Sequence, residues 1–303
     1  MGPRQASPAP GLRGAPLSRF SHYAAIDWSG AVGERLPGIA VALCGPDGAP
    51  QLVRPGHRWS RAEVLGWLMA DLPQATLVGL DLGTSLPFAD RAAFFPGWRE
   101  SPPDAKSLWA LIDERCAADD HLGAISFLAL PEAAAHFRQH GGRQGSAFEP
   151  GRGRLRVTEH AQRAMGLSPV SNLNLVGAVQ VGKSSLTGMR VLHRLAGRLP
   201  VWPFDPDPGQ GSLVVEIYTS LAARAAGRLP GRSKMRTAAD LDAALAALGS
   251  PPSGLAGAID DHRSDAILTA AWLRAAAGDP ALWRPPALTP DIARTEGWTF
   301  GVR

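Results

Sequence analysis

The sequence feature that most restricts the fold is the run TLVGLDL at residues 76–82, which is almost wholly apolar and ends with Asp81 and one more leucine. A strand that is covered on both faces has this continuous apolar pattern, and such strands are typical of parallel or mixed sheets flanked by helices. No run in the chain approaches the roughly 18 apolar residues of a membrane helix. The run therefore predicts a central strand of an α/β domain.

The residues before this run predict a β-meander and a helix. Strands are indicated at residues 22–28, 38–44 and about 51–58, with turns in the glycine-rich stretch 30–38 and at Pro46-Asp47-Gly48. Ser60 and Glu63 form a capping box that opens a helix to about residue 72. Three strands, a helix and a buried strand are the opening order of an RNase H-like fold. We therefore predict an α/β fold with a mixed sheet, in which a three-stranded antiparallel meander adjoins parallel strands flanked by helices.

The rest of the chain is consistent with one domain at residues 21–303, carrying an irregular insertion around 83–200 and preceded by a disordered segment at 1–20. A glycine- and arginine-rich loop is predicted at 138–163, a strand at 212–218 and a short helix to residue 226. Further helices are predicted at 106–118, 186–196, 238–248 and 255–277, and a closing strand at 298–302.

The composition indicates a cellular compartment and gives only weak evidence about binding partners. The chain has 31 Lys and Arg against 27 Asp and Glu, a net charge of +4, but only three of the cations are lysines. Arginine and alanine richness is also typical of a GC-rich genome, so the charge favours nucleic acid only slightly. Cys44 and Cys116 fit no metal or redox spacing, and the N-terminus lacks the apolar core of a secretion signal. A cytoplasmic protein without membrane contact is expected, and its oligomeric state is left open.

Four carboxylates stand where apolar residues are expected. Asp27 ends the first strand, Asp81 ends the buried strand, Glu216 lies in SLVVEIY, and Asp265 lies in the last long helix. A buried carboxylate is costly unless it is hydrogen-bonded, paired or bound to a cation, whereas a lone one is more often a cap or a solvated group. Four at such positions favour a common site, and Asp261, one helical turn before Asp265, can face the same way.

Several carboxylates together repel one another, and a hard divalent cation with oxygen ligands relieves that repulsion. Hydrolysis of a phosphodiester by two such ions needs this arrangement. We therefore expect Mg²⁺ or Mn²⁺ as cofactor, with Asp27, Asp81 and Asp265 close together on one side of the sheet.

Five segments carry a family resemblance: AIDWSG, VGLDLGTSLP, VVEIYTSLAAR, SDAILTAAWLRA and EGWTFGV appear in this order between about residues 22 and 302. They resemble the bacterial family called domain of unknown function 429, a predicted nuclease family of RNase H fold. The stretch from His262 to Ala266 is also similar to the D-or-H-x-x-D-A helix of RuvC-type resolvases, which supplies metal ligands. The middle of the chain matches loosely.

The resemblance implies an acidic site of Asp27, Asp81, Glu216 and Asp265, with Asp261 as a further ligand and His262 assisting. It implies no substrate, because the nuclease label of the family is itself based on the fold. A metal-dependent hydrolase acting on phosphodiesters of nucleic acid is the leading hypothesis.

Two segments resemble phosphate-binding loops. Residues 177–184, GAVQVGKS, satisfy the Walker A pattern, with Lys183 as the phosphate-binding lysine, but no magnesium-binding partner strand follows. We expect Lys183 to point at the acidic cleft or into solvent. Residues 79–85, GLDLGTS, resemble the first phosphate loop of sugar kinases and actin-type ATPases, but they do not lie in the first hairpin. A nucleotide-binding phosphotransferase or ATPase is the alternative enzyme.

Arginine-rich segments give the last candidate residues. Arg152, Arg154 and Arg156 in the insertion, with Arg232 and Lys234 after the strand of Glu216, predict phosphate contacts beside the acids. A solvated arginine-rich loop explains them equally well. A non-catalytic module that binds nucleic acid through the same fold is therefore the third hypothesis.

Overall fold

The computed structural model describes residues 18–177, 180–228 and 234–303. The segment 1–17, most of the predicted disordered N-terminus, lies outside the described residues. Phe20, at the end of that prediction, is buried and its ring stacks on Trp283 at a centroid distance of 6.2 Å. The ordered core therefore begins at least one residue earlier than predicted.

Six strands form one mixed sheet. They are β1 (His22–Asp27), β2 (Ala40–Cys44), β3 (Gln51–Leu52), β4 (Thr76–Asp81), β5 (Val201–Trp202) and β6 (Leu213–Glu216). Their order across the sheet is β3-β2-β1-β4-β6-β5. β3, β2 and β1 are antiparallel, whereas β1, β4, β6 and β5 run parallel to one another. The predicted combination of an antiparallel meander and parallel strands is confirmed.

The edge beyond β6 is where the sheet differs from an RNase H sheet. β5 precedes β6 in the chain but lies outside it in the sheet, so the order is not exactly that of the RNase H fold. What the architecture establishes is a mixed α/β fold.

Helices cover both faces of the sheet. They are α1 (Arg61–Gly66, continued by a π-helical turn Trp67–Asp71), α2 (Ala105–Arg115), α3 (Ile125–Ala129), α4 (Pro131–Ala134), α5 (Val157–Ala164), α6 (Val181–Arg194), α7 (Thr219–Ala225), α8 (Ala238–Ala247), α9 (Asp261–Ala276), α10 (Pro280–Trp283) and α11 (Pro290–Thr295). None of the helices in the described part of the chain is long and apolar enough to cross a membrane.

The strands bury both faces because alternate residues enter two different cores. In β4, Val78 and Leu80 join a core with α2 and α6, whereas Leu77 joins a core with α7, α8 and α9. Successive side chains of a strand point to opposite faces, so each apolar residue of the run has a core to enter. This explains why the run has no polar alternation, and it confirms the prediction of a central strand.

Two predicted strands are shorter in the structure. The third strand, predicted to reach residue 58, is only Gln51–Leu52, because bends and a turn that includes Gly56 (φ +79°) follow at once. The predicted closing strand at 298–302 is reduced to a single parallel bridge between Glu216 and Thr299. The chain turns directly after that bridge, so no ladder can extend.

Three helix boundaries differ from the sequence prediction. The predicted loop 138–163 contains α5, whose start is fixed because Glu159 accepts the backbone N–H of Arg156 at 2.8 Å. α9 begins at Asp261 instead of residue 255, because Asp260 caps it by accepting the backbone N–H of Arg263. α6 begins five residues earlier than predicted, at Val181, and therefore includes Lys183.

A buried ion-pair network ties the insertion to the sheet. The guanidinium group of Arg156 contacts Glu159 of α5 and Glu216 of β6, with donor–acceptor distances of 2.6–3.2 Å, and also donates to the carbonyl of Glu296. Arg156, Glu159 and Glu216 are each less than 5% exposed. All five N–H groups of the guanidinium are therefore used in holding α5 against the end of β6.

Glu296 connects the segment after β4 to the start of α5. Its carboxylate accepts the backbone N–H groups of Phe88, Ala89 and Val157 at 2.6–2.7 Å, and the side chain is fully buried. Three backbone donors satisfy this buried charge without a basic partner. Glu296 thus fixes both the segment after β4 and the first turn of α5.

Replacing Arg156 by Met will lower the free energy of unfolding by about 3–5 kcal/mol, because Glu159 and Glu216 then stay buried without their cation. Urea unfolding at pH 7, followed by far-UV circular dichroism, measures the change. Arg152→Met is the matched control, since Arg152 is exposed. A loss for Arg156→Met no larger than that of the control would show that the network does not support the fold.

Candidate active site

Two of the predicted aspartates lie side by side at the same edge of the sheet. Asp27 is the last residue of β1 and Asp81 the last of β4, and the parallel register pairs them directly. Neighbouring strands are about 4.8 Å apart, and paired residues point to the same face. Because side chains alternate along a strand, Asp27 points to the same face as Ala25, and Asp81 to the same face as Leu77. Both aspartates therefore lie on the face of the sheet that α9 covers.

Asp265 reaches the same place from a different element. It lies in the second turn of α9, which packs on β1 and β2. Asp27, Asp81 and Asp265 all line one cavity of about 730 Å³. The three residues thus line the same cavity.

Burial and neighbouring negative charges raise the pKa of all three carboxyl groups. Burial, and then the charges of Asp27 and Asp265, raise the pKa of Asp81 well above its ordinary value, opposed by a hydrogen bond from the backbone of Thr219. Burial, and then Asp27 and Asp261, raise the pKa of Asp265 to about 7. Burial also raises the pKa of Asp27. Each carboxylate therefore costs free energy when it is ionised beside the others.

His262 is the basic side chain that touches one of the three. Its Nδ1 lies 3.3 Å from Oδ1 of Asp27, and half of the side chain is exposed. The hydrogen bond to Asp27 outweighs burial and raises the pKa of His262. The carboxylate of Asp265, by contrast, accepts no hydrogen bond from the described residues.

Glu216 lies beside the three aspartates but is committed to other partners. The register pairs it with Leu80 instead of Asp81, so its side chain leaves the opposite face of the sheet. Its oxygens accept from Arg156, from the backbone and hydroxyl of Thr84, and from the hydroxyl of Thr299. Burial alone would raise the pKa of Glu216, but Arg156 outweighs it and lowers that pKa. Glu216 is thus an anchor for the insertion in this arrangement.

Asp261 is also paired already. It contacts Lys234 and lies 3.9 Å from Nε of Arg236, at the mouth of the cavity. Its charge still raises the pKa of Asp265.

The three aspartates match a divalent cation in donor chemistry. Carboxylate oxygens are the ligands that Mg²⁺ and Mn²⁺ prefer, and a cation would relieve their repulsion. Among residues 18–177, 180–228 and 234–303, no three His, Cys, Asp or Glu side chains are grouped so that they hold a metal ion as they stand. The fit to a cation thus rests on the donor chemistry of the three aspartates, and not on their present arrangement.

Two backbone amides at the end of the Walker A-like segment 177–184 are already hydrogen-bonded within the chain, whereas positions 178 and 179 lie outside the described residues. The amide of Gly182 donates to the carbonyl of Asn174, and that of Lys183 donates to Gln180. Lys183 contacts Nε2 of His140 at 2.8 Å and does not line the cavity. Of the two predicted positions of Lys183, the structure excludes the acidic cleft, because the lysine contacts His140 in an exposed position at the surface. Partial burial lowers its pKa.

Two of the arginines assigned to nucleic-acid contact are structural. Arg154 is buried and donates to both oxygens of Asp90 and to the carbonyls of Pro87, Ala93 and Phe94. The guanidinium group of Arg156 already makes its hydrogen bonds in the ion-pair network described above. Contrary to the sequence prediction, neither guanidinium is free to bind a phosphate.

The other predicted cations differ in position. Lys234 lines the cavity and is 66% exposed, whereas Arg152 is exposed in the insertion. Arg232 lies outside the described residues.

Several residues at the cavity were missed by the sequence analysis. Gln162, Asn172 and Tyr218 line it, together with Glu159. The spacing of Arg156 and Glu159 was the available signal, since a side chain three residues into a helix can accept the backbone N–H at its start. The glycine- and arginine-rich composition around it predicted a loop instead.

No family model, no curated protein and no solved structure matches this chain. The resemblance to a predicted nuclease family thus rests on the sequence segments alone.

The unfolding free energy will depend on pH through Asp265. Because its pKa is about 7 in the folded protein against 3.8 ordinarily, the folded state binds more protons between these values, and stability falls as pH rises from about 4 to about 7. Asp265→Asn cannot ionise, so this variant will lose less stability over that range and be at least as stable as wild type at pH 8.

Chemical denaturation at pH 4.5, 6 and 8 measures the difference between the two proteins. Asp47→Asn, in an exposed turn, is the control and should parallel wild type. If Asp265→Asn is destabilised equally at every pH, the aspartate is a structural residue and not part of a repelling cluster.

Proposed function

We propose that this protein is a divalent-metal-dependent phosphodiesterase of RNase H-like architecture that acts on nucleic acid. The observation that carries the proposal is the meeting of Asp27, Asp81 and Asp265 in one cavity, on the same side of the carboxyl edge of parallel strands. Their mutual repulsion has no structural benefit by itself. Functional sites commonly retain such unfavourable charge because a ligand uses it.

The chemical roles follow from the contacts of each residue. Asp27, Asp81 and Asp265 would hold Mg²⁺ or Mn²⁺, which when bound supplies a more acidic water as nucleophile and stabilises charge on the phosphate. Thr219 holds Asp81 through a backbone hydrogen bond, and His262 holds Asp27. Glu216, proposed from the family resemblance as a fourth ligand, would contribute by keeping Arg156 and α5 in place.

His262 has the properties of a proton donor. Contact with Asp27 stabilises its protonated form, and its half-exposed ring lies at the cavity. A protonated imidazole can supply the proton that a leaving oxygen needs when the phosphorus–oxygen bond breaks. We propose His262 as this donor, with Asp261 and Lys234 at the mouth.

Asp81→Asn will lower Mn²⁺-dependent hydrolysis of a phosphodiester by more than about 100-fold, since it removes a central ligand. The assay uses bis(4-nitrophenyl) phosphate and a single-stranded oligonucleotide, with Asp47→Asn as the matched control. Melting curves give an independent readout. Millimolar Mn²⁺ will stabilise wild type, by about 2.7 kcal/mol at 100 times its Kd, and will not stabilise Asp81→Asn.

Wild type that neither hydrolyses a diester nor gains stability from Mn²⁺ or Mg²⁺ would contradict the proposal. Nucleic-acid binding without metal-dependent cleavage would favour the non-catalytic module.

The alternative phosphotransferase makes an opposite prediction at Lys183. The amides of Gly182 and Lys183 are already hydrogen-bonded within the chain, so they are not free to receive a phosphate. Isothermal titration with Mg-ATP should therefore show no binding, in wild type or in Lys183→Ala. ATP binding that is lost in Lys183→Ala would favour the phosphotransferase instead.

A further inference from the structure

The insertion lines part of the cavity that holds the aspartates. Residues of the insertion that line it include Gln162, Val170, Asn172 and Ser184. Its volume of about 730 Å³ lies in the range of small-molecule pockets, which is roughly 300–1,000 Å³. The aspartates thus lie in a cleft of the size of a small molecule, with the insertion on one side.

Two glycines allow the insertion to pack closely against the ends of β1 and β4, which carry Asp27 and Asp81. A Cβ on Gly30, three residues after Asp27, would lie 2.4 Å from backbone atoms of Lys183 and Ser184. A Cβ on Gly83, two residues after Asp81, would lie 2.1 Å from Nδ2 of Asn172. Both distances are far below any real contact, so only glycine permits this closure.

Buried polar contacts fix the wall in place. Asn172 donates to the carbonyl of Ser85 at 2.8 Å, and Nε1 of Trp28 donates to Thr187 of α6 at 3.1 Å. The network of Arg156 holds α5 at the same time. Breaking buried ion pairs is costly, so this wall will not swing aside to admit a double helix.

The lining of the cavity includes apolar side chains and an aromatic ring. Pro169, Val170, Ile217 and Tyr218 are among the residues that line it. The side chain of Tyr218 is half-buried, and its hydroxyl forms no hydrogen bond with the described residues. Rings at such a position are platforms on which an unpaired base stacks, irrespective of sequence.

The charge of the lining limits how many phosphates can enter. Among the described residues that line the cavity, the three aspartates with Asp261, Glu159 and Glu216 outnumber Arg156 and Lys234. The formal balance is −4 when every carboxyl group is ionised and His262 is neutral. A phosphate would be held where a cation neutralises the three aspartates, while further phosphates in the pocket would be repelled. The pocket therefore suits one phosphodiester and the base beside it.

We infer that the substrate enters as an unpaired nucleotide, its base against Tyr218 and its phosphodiester over the three aspartates, and that duplex nucleic acid is excluded. This inference rests on the proposed function. A cleft of this size takes up one nucleotide, which is accessible only in a single strand or after it has left the stack of a duplex. The same chemistry is offered by a single-stranded chain and by a free dinucleotide.

Equilibrium binding tests the inference without catalysis. Fluorescence anisotropy measures the affinity of the His262→Ala variant, which keeps the three aspartates and lacks the proposed proton donor, in millimolar Mn²⁺ for a labelled single strand of about 12 nucleotides and for its blunt duplex. The single strand will bind at least about 20-fold more tightly, because duplex must first be unpaired. Equal affinities would overturn the inference.

Cleavage by wild type separates this inference from the proposed function. If the duplex is cut as fast as the single strand and Asp81→Asn is inactive, the phosphodiesterase stands and the exclusion of duplex fails. If bis(4-nitrophenyl) phosphate is not hydrolysed either, the proposed function fails. If a dinucleotide is cut as fast as the longer strand, a dinucleotide is a sufficient substrate. If the dinucleotide is cut much more slowly, the substrate is the longer single strand.

The role of Tyr218 has its own control. Tyr218→Leu will weaken binding of the single strand by about 10-fold, and Tyr218→Phe will restore it, because stacking needs the ring and not the hydroxyl. Melting curves check that both variants are folded. If Phe and Leu weaken binding equally, the ring is not a base platform.

Discussion

The buried contact of Arg156 with Glu159 and Glu216 is the interaction on which the rest of the site depends. It joins the first turn of α5 to the end of β6, at the point where the candidate site begins. Ion pairs of this kind add little net stability compared with an apolar contact, but they are costly to break and they fix geometry. Together with Glu296, the network turns a long irregular insertion into a wall of defined position.

The three aspartates have the opposite energetic character. They meet where parallel strands end and where α9 begins, in a setting that raises the pKa of each. The burial of apolar side chains in two cores, one on each face of the sheet, offsets the free-energy cost of ionising these buried carboxyl groups. Neighbouring carboxyl groups thus have contrasting roles. Glu216 is paired with Arg156 and is structural, whereas in the part of the chain that the structure describes the one basic side chain in contact with Asp27, Asp81 or Asp265 is His262. That contrast is the main physical argument for where the chemistry lies.

Much of the fold could be predicted from local pattern. The apolar run at β4, the capping box of Ser60 and Glu63, and the Asp-Ala helix of Asp265 each carry a signal within a few residues. α5 was not predicted, because the composition around it indicates a loop and the spacing of Arg156 and Glu159 is a weak local signal. The contacts of Arg156 with the distant residues Glu216 and Glu296 hold the helix in place, and they outweigh that local preference.

The sequence by itself determined that acidic residues would stand at strand ends and in the last long helix, because an apolar pattern makes an interrupting carboxylate visible. Only the tertiary structure decided which of them share a face. The register that pairs Asp27 with Asp81 also pairs Leu80 with Glu216. Because side chains alternate along a strand, this offset of one residue turns Glu216 away from the two aspartates and toward Arg156. Register is set by pairing between segments that lie more than 100 residues apart in the chain, and no local pattern encodes it.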